Sequence, residues 1–420
     1  MTSEANCGCP EGQRASFSRR GLLRTAAAAG LTAGLTTASG VELAFGAPAG
    51  TGTLVVLSLH GGFDGLSAIV PSGDANYLKA RPTIGVPASV TKKVDAMFGL
   101  HPALAPLYDL WDAGQMAAVH AVGQDDPSRS HFAAQEAMER AAPGSGVRTG
   151  WIDRTLGGLG NPGGLTATQV GNGSQLPLSM SGPNLKFAVG TIAGVKLSGS
   201  GSQVPLNGWK AGLKASRAGA SAQVWQPLTA AFQAVGNLGA LAAKTDDPKT
   251  YGYPNSNLGN ALHDTGRLIK ADLGLRVATV DLGDWDMHAG LGKSDSGWMH
   301  RQLTELSTAL AAFAKQLGPD GMKNTTLITL SEFGRRIEEN GSGGLDHGHG
   351  NAVLVMGGGL KKGVHGKWPG LAASARVDGD LAGTTDYRSI VSEVLKKRCG
   401  VSSVSGVFPG FKPKAVGLFT

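Results

Sequence analysis

The sequence predicts an α/β protein, an open, mostly parallel sheet flanked by helices, with an inserted Gly/Ser-rich subdomain. Three observations carry that expectation. Short continuous apolar runs recur along the chain and end in glycine or polar residues, which is the pattern of strands buried on both faces. Stretches of helical periodicity stand between those runs, and strands alternating with helices build parallel sheets. The chain has 420 residues, 41% hydrophobic and 16% charged, so it is long and apolar enough to bury a large core. Its 65 glycines follow no three-residue period, which excludes collagen and implies many loops.

Residues 1–49 read as an export address. Ser18-Arg19-Arg20-Gly21-Leu22-Leu23 resembles the twin-arginine signal, a weakly apolar Ala/Gly/Thr stretch follows from Thr25 to Gly40, and small residues stand around Ala44 to Ala49. A membrane span needs about 20 strongly apolar residues. This stretch is shorter, glycine-broken and rich in threonine, so the expectation is a cleaved signal, no stable membrane span, and a periplasmic or extracellular location. The twin-arginine translocase would be a partner during export. Cleavage would remove four arginines and three glutamates, taking the formal charge from +7 to +6. The remaining basic groups Lys92-Lys93, Lys361-Lys362 and Lys396-Lys397-Arg398 are scattered and lack interleaved aromatics, so no nucleic-acid partner is expected. Cys7 and Cys9 would leave with the signal, and Cys399 alone cannot form an internal disulfide.

The domain at 50–420 opens with the run Thr-Leu-Val-Val-Leu-Ser-Leu at 53–59, a buried strand that delivers its end to His60-Gly61-Gly62. Helical patterns follow at 103–113 and, after a polar turn, at 130–141. From about 143 to 249 Gly, Ser, Asn and Thr dominate, with strand-like pieces at 177–180 and 186–190. This is the insertion, either a lid over the sheet edge or a surface excursion. The α/β pattern then resumes with a helix at 258–273, a strand at 276–282, a helix at 298–317, and strands at 325–330 and 351–356.

Open parallel sheets bind ligands beyond the carboxyl ends of their strands, so polar residues following the apolar runs should converge. Four clusters stand there: His60 with Asp64; Asp284 with His288; Glu332; and Asp346, His347 and His349. Imidazoles and carboxylates together are the ligand set of a divalent metal, with zinc, calcium, magnesium and manganese all open. The i, i+4 spacing of Asp284 and His288 puts both on one face of a helical turn. His347 and His349 straddle one glycine and share a side in an extended segment. A separate run, Asp125-Asp126-Pro127-Ser128-Arg129-Ser130-His131, precedes the expected helix at 130–141. There Asp126 or Ser128 could cap the helix, Ser128 or Ser130 could act as a nucleophile, and Arg129 could fork onto substrate oxygens. The chain after residue 49 contains no Walker A sequence, no G-x-S-x-G elbow and no C-x-x-C, so P-loop nucleotide use, the usual serine-hydrolase layout and thiol redox chemistry lose support.

Leu57-Ser58-Leu59-His60-Gly61-Gly62-Phe63-Asp64-Gly65, Ser130-His131-Phe132 with Gln135 and Glu136, Ser331-Glu332-Phe333-Gly334-Arg335, and Asp346-His347-Gly348-His349-Gly350 resemble a family of twin-arginine-exported bacterial proteins of uncharacterised function. That family is in turn distantly similar to the alkaline phosphatase and sulfatase superfamily. The resemblance implies a mixed α/β sheet, one or two metal ions, and a serine, threonine or formylglycine nucleophile at a helix start. It aligns Asp284 and His288 with the superfamily's Asp-x-x-x-His metal pair, and His347 or His349 with its late metal histidine. The chain departs at His60, where the superfamily has aspartate, and at Glu332-Phe333, where it has Asp-His. The function expected is an exported metal-dependent hydrolase of phosphate or sulfate esters, taking a small anionic ester as substrate. The alternative is a non-catalytic exported binding protein that keeps the fold and a structural metal.

Overall fold

The computed structural model describes residues 52–126, 128–159, 165–171, 175–195 and 222–420. The expected export segment at 1–49, Pro127 and parts of the 143–249 stretch lie outside the described residues.

The strands in chain order are β1 (Thr53–Leu59), β2 (Ile69–Val70), β3 (Lys92–Lys93), β4 (Gly99–Leu100), β5 (Met116–Gly123), β6 (Ala167–Val170), β7 (Phe187–Val189), β8 (Val277–Leu282), β9 (Thr325–Leu330), β10 (Asn351–Gly357), β11 (Gly363–His365) and β12 (Thr385–Asp386). The main sheet runs β11-β5-β10-β9-β1-β8-β6-β7, with β12 also on β5, and β2, β4 and β3 form a small second sheet. Every pairing of the main sheet is parallel except the two made by β10, which runs against β5 and β9. The expected open, mostly parallel sheet is therefore the architecture.

β1 sits at the centre because both of its faces are apolar. Its alternate residues enter opposite cores: Val55, Leu57 and Leu59 face one, Leu54 and Val56 the other. The first core is closed by the helices Asn257–Lys270 and Trp298–Asn324, which contribute Leu258, Leu262, Leu303, Leu306, Leu310 and Phe313. The second is closed by Trp151–Gly158 and Tyr387–Arg398, through Trp151, Leu156, Ile390 and Val394. Side chains packed on both faces give three layers, helices against sheet against helices.

Several expected elements shift for local reasons. The helical pattern at 103–113 is a 3₁₀ segment, Pro102–Leu107, followed by the helix Tyr108–Asp112, since Pro106 lacks the N–H a regular helix needs. The helix expected to stop at 317 does break there: Gly318 is non-helical and Pro319 follows, although helical turns resume to Asn324. Residues 178–180 form a 3₁₀ turn rather than extended chain. β6 and β7, both within 143–249, extend the main sheet beyond β8. Among the described residues no helix is long and apolar enough to cross a membrane.

Candidate metal centre

β1, β8 and β9 are parallel and in register, so the loops that leave them emerge on one rim. After β8 the chain turns through a left-handed Asp284 (φ 70°) and then alternates, with Trp285 and Met287 buried and Asp286 and His288 outward. After β9, Ser331 to Arg335 turns back to form an isolated antiparallel bridge between Arg335 and His347. The helix His131–Arg140 approaches the same rim with its first residue.

These segments bring three imidazoles and a carboxylate together. His347 Nε2 lies 3.0 Å from His131 Nε2, 2.9 Å from His288 Nε2 and 3.1 Å from Asp286 Oδ1. Asp286 Oδ1 is also 3.0 Å from His288 Nε2 and 3.5 Å from His131 Nε2. Within this cluster, His131, Asp286 and His347 form a group of donors that could hold a metal ion.

The other nitrogen of each ring fixes its tautomer. His131 Nδ1 donates to Glu332 Oε1 at 2.6 Å, His288 Nδ1 to Asp346 Oδ1 at 3.0 Å, and His347 Nδ1 to the Arg129 carbonyl at 2.8 Å. A carbonyl oxygen only accepts, so Nδ1 of His347 carries the proton, and the two carboxylates impose the same choice on the other rings. In each neutral ring Nε2 is then a lone pair. Lone pairs and a carboxylate oxygen at separations of 2.9–3.5 Å from His347 Nε2 or Asp286 Oδ1 repel one another in the absence of a cation. The arrangement of imidazoles backed by oxygen acceptors is that of metal-bound histidines. Donors about 2.0–2.1 Å from a tetrahedral ion stand about 3.3 Å apart, and the separations within the His131, Asp286 and His347 group, 3.0–3.5 Å, bracket that value. The residues present fit a metal.

The surroundings are built to hold these donors. Arg335 is buried, and its guanidinium donates to Asp286 Oδ1 (2.5 Å) and to the carbonyls of Gly61, Gly62 (2.7 Å), Trp285 (3.0 Å) and Leu345 (2.9 Å). Burial works against ionisation of Asp286, but the hydrogen bond and positive charge of Arg335 outweigh it and hold the carboxyl down at about 2. Glu332 is buried and accepts from the Gly61 amide (2.8 Å) with the same oxygen that takes the His131 proton. Phe333 lies under two of the rings, its centroid 4.7 Å from His131 and 4.9 Å from His347. Gly61 (φ 109°) and Gly62 (φ 71°) are both left-handed; a Cβ on Gly61 would fall 2.7 Å from the Asp286 nitrogen and one on Gly62 2.7 Å from the Phe333 ring. That is why the loop after β1 reads His-Gly-Gly.

The remaining candidates lie elsewhere. His60 Nε2 pairs with Asp281 Oδ1 at 3.1 Å. Asp64 is buried, accepts from the Ser67 amide and receives both Arg81 Nη groups at 2.6 and 2.9 Å; burial pushes its carboxyl up, but Arg81 outweighs this and leaves it below the usual range. Asp284 is exposed with a left-handed backbone (φ 70°), which turns its carboxylate out of the Trp285–His288 alternation. His349 lies against Gly123 and Gly383, and burial lowers its imidazole. Glu332 and Asp346 touch imidazoles rather than the shared point. Ser128 and Ser130 are exposed, with Ser128 Oγ accepting the Ser130 amide at 3.2 Å; Ser130 precedes the helix without a side-chain capping bond. The Arg129 guanidinium is held by Asp380 Oδ2 at 2.9 and 2.5 Å, so its fork is already engaged.

Asp286 and His131 were not among the residues expected from the sequence to ligate. The buried–exposed alternation through Trp-Asp-Met-His carried the first signal, since i, i+2 residues of extended chain share a side. For His131, at a helix start in a polar run, the sequence holds only its place in the Ser-His-Phe motif; its ring is fixed by Glu332, 201 positions away.

Residues 239–389 match a family described as "Protein of unknown function (DUF1501)". No curated protein matches the chain. Among solved structures, the zinc complex of the C-terminal periplasmic domain of EcEptC from Escherichia coli is similar at 10% identity, over 87% of this chain and 88% of that one, with a TM-score of 0.31. The PsFucS1 sulfatase from Pseudoalteromonas sp. is similar at 10% identity, over 82% of this chain and 67% of that one, with a TM-score of 0.35.

Proposed function

We propose that the chain is an exported, metal-dependent hydrolase of phosphate or sulfate esters, with the ion held by His131, Asp286, His347 and His288. The observation that carries this reading is the convergence of three imidazole lone pairs on one carboxylate oxygen, each ring locked by an acceptor behind it. A donor set of imidazoles with one carboxylate suits zinc or another transition ion better than calcium or magnesium, which take oxygen ligands. Such an ion supplies Lewis acidity toward the ester and lowers the pKa of a bound water.

The chain's own residues would do the rest. Arg335 keeps Asp286 ionised and aimed; Glu332, Asp346 and the Arg129 carbonyl keep the imidazoles in the ligating tautomer. Phe333 closes the buried side, so a substrate would enter from solvent. That openness favours catalysis over the alternative of a structural metal in a binding protein: side chains of Asp286 and His288 are 46% and 45% exposed, whereas structural sites are closed by protein ligands. The serines at 128 and 130 stand beside His131 as candidate nucleophiles, with a bound water as the other candidate. Export is supported by the signal-like residues 1–49.

The test is direct. The purified chain should bind about one transition ion and hydrolyse at least one ester of a phosphate and sulfate panel, and His347→Ala should abolish both. A folded chain that takes up no zinc, manganese, cobalt or nickel and turns over no ester with those ions added would refute the reading.

A further inference from the structure

We propose that His60, oriented by Asp281, is the proton donor to the departing alcohol oxygen. This rests on the hydrolase reading above and assigns a role to a residue outside the metal donors.

His60 follows the last residue of β1 and is bracketed by two backbone hydrogen bonds to the centre's supports. Its carbonyl accepts from the Trp285 amide (3.3 Å), next to Asp286. The amide of Gly61 donates to Glu332 Oε1, the oxygen that also takes the His131 proton. The imidazole therefore stands on the same rim as the donors without being one of them. Its Nε2 is tied to Asp281 Oδ1 at 3.1 Å, and the other Asp281 oxygen accepts from Gln169 Nε2 at 2.8 Å. The Gln169 amide oxygen is in turn bonded by the Thr279 hydroxyl, and both Gln169 and Thr279 are buried. A carboxylate anchored in this way fixes the ring and its tautomer, the arrangement that orients an acid–base histidine. The other nitrogen, Nδ1, has no hydrogen-bond partner among the described residues, and the side chain is 30% exposed. A purely structural ion pair gives no reason to leave the second nitrogen without a partner.

The surrounding charges favour the acid form. Burial lowers the His60 imidazole, but Asp281 on β8, with Glu332 after β9 and Glu139 on the helix His131–Arg140, raises it above its ordinary value. In the step itself, the bond between the ester oxygen and phosphorus or sulfur breaks with its electron pair staying on oxygen. The Nδ1 proton of His60 passes to that oxygen, and the alcohol leaves. A water oxygen bonds to the phosphorus or sulfur and gives up a proton, which restores the imidazolium through solvent. The sum is ester plus water giving alcohol plus inorganic phosphate or sulfate.

The experiment uses the metal-loaded chain and His60→Gln, whose amide nitrogen can keep the bond to Asp281 but cannot act as an acid. Substrates are 4-nitrophenyl phosphate and sulfate, whose leaving group needs no proton, and the corresponding ethyl esters, whose leaving group does. The expected result is a 10²–10⁴-fold loss in kcat/KM for the ethyl ester, a loss under about tenfold for the 4-nitrophenyl ester, and unchanged bound metal. Asp281→Asn should give the same contrast in smaller measure. It should also move the alkaline limb of the ethyl-ester pH profile to lower pH, because the acid form is lost as pH rises through a pKa that Asp281 holds up. In the metal-free chain, NMR titration of His60 should show the same downward move. Equal losses for both leaving groups, no loss for either, or loss of bound metal in His60→Gln would overturn this proposal alone. A metal-loaded wild type that turns over no ester would overturn the hydrolase reading and this proposal with it.

Discussion

Replacing Asp380 with asparagine should loosen the centre without touching any of its donors. Asp380 is fully buried, and its Oδ2 receives two N–H groups of Arg129 at 2.9 and 2.5 Å. Arg129 has a left-handed backbone (φ 53°), a conformation that costs a non-glycine residue of order 1–3 kcal/mol and persists only while its neighbours impose it. In that conformation its carbonyl accepts the His347 Nδ1 proton at 2.8 Å. The amide retains the shape but reduces charge-assisted bonds, worth about 1.5–3 kcal/mol, to neutral ones of about 0.5–1.5 kcal/mol. Because the Arg129 side chain is 32% exposed and water can compensate it, the net loss of stability should be at the low end, about 1 kcal/mol. The larger effect should be on the metal, since losing an outer partner of a ligating imidazole typically costs about 10–100-fold in affinity. Urea unfolding of the metal-free chain measures the first quantity, and competition with a chromophoric chelator measures the second. A variant with lowered stability and unaltered metal affinity would show that the Arg129 carbonyl does not depend on Asp380, and the reasoning would fail.

His131→Ala and Asp286→Asn should each weaken metal binding at least about 100-fold, whereas Asp284→Asn and His349→Ala should leave it within about threefold, as titration with zinc would reveal. Gly61→Ala should destabilise the fold by about 2–6 kcal/mol in chemical denaturation, summing the left-handed backbone cost and overpacking against Trp285 and Asp286. Stability of the metal-free chain should fall with acid. Burial lowers the imidazoles of His101 and His120 to about 4, with His300 adding to the effect at His101. Their folded pKa values lie below the unfolded value of about 6.5, so the unfolded chain binds the extra protons; stability is complete above that value and is lost as pH falls from about 6.5 to 4, by about 3 kcal/mol for each ring at most. Urea midpoints at pH 7.5, 5.5 and 4 check this, and a slope unchanged in His120→Gln would contradict it.

Most of the sheet was legible because its central strands are apolar on both faces. β1 and β9 are continuous hydrophobic runs, and their bounds match the expectation from sequence. β5 escaped notice because Met-Ala-Ala-Val-His-Ala-Val-Gly carries small residues and an imidazole, and only the tertiary structure shows why they are tolerated. His120 is buried with its Nε2 bonded to the Ile69 carbonyl at 3.0 Å, so the polar ring is satisfied inside the core. The centre was legible by location rather than by role. Strand-end placement pointed to loops that converge in the structure, but identity within each loop depends on which way a side chain turns. Asp284 and Asp286 differ in sequence only by position; the left-handed backbone at 284 separates them, and no local pattern announces it. Glu332 and Asp346 have the chemistry of ligands, and only the position of an imidazole between each of them and the shared point makes them supports.

The same side-chain directions bear on how many ions the proposed centre holds. A second ion would need a further set of donors close to the first. The two carboxylates best placed to supply it are committed: one Glu332 oxygen takes both the His131 proton and the Gly61 amide while the other accepts from Ser331, and Asp346 Oδ1 takes the His288 proton and an Asn340 amide hydrogen. Phe333 fills the buried side against His131 and His347 with a ring that offers no lone pair. His60 is drawn off to Asp281. Neither side chain is placed to donate to a second ion, and each has another use within the fold: a packing floor in one case and an anchored imidazole in the other. The two residues are coupled through the glycine loop, because Gly62 must lack a side chain for Phe333 to lie where it does, and the turn that Gly61 and Gly62 make begins at His60. A one-ion centre with a separate proton donor is therefore the reading in which both Phe333 and His60 have a physical role.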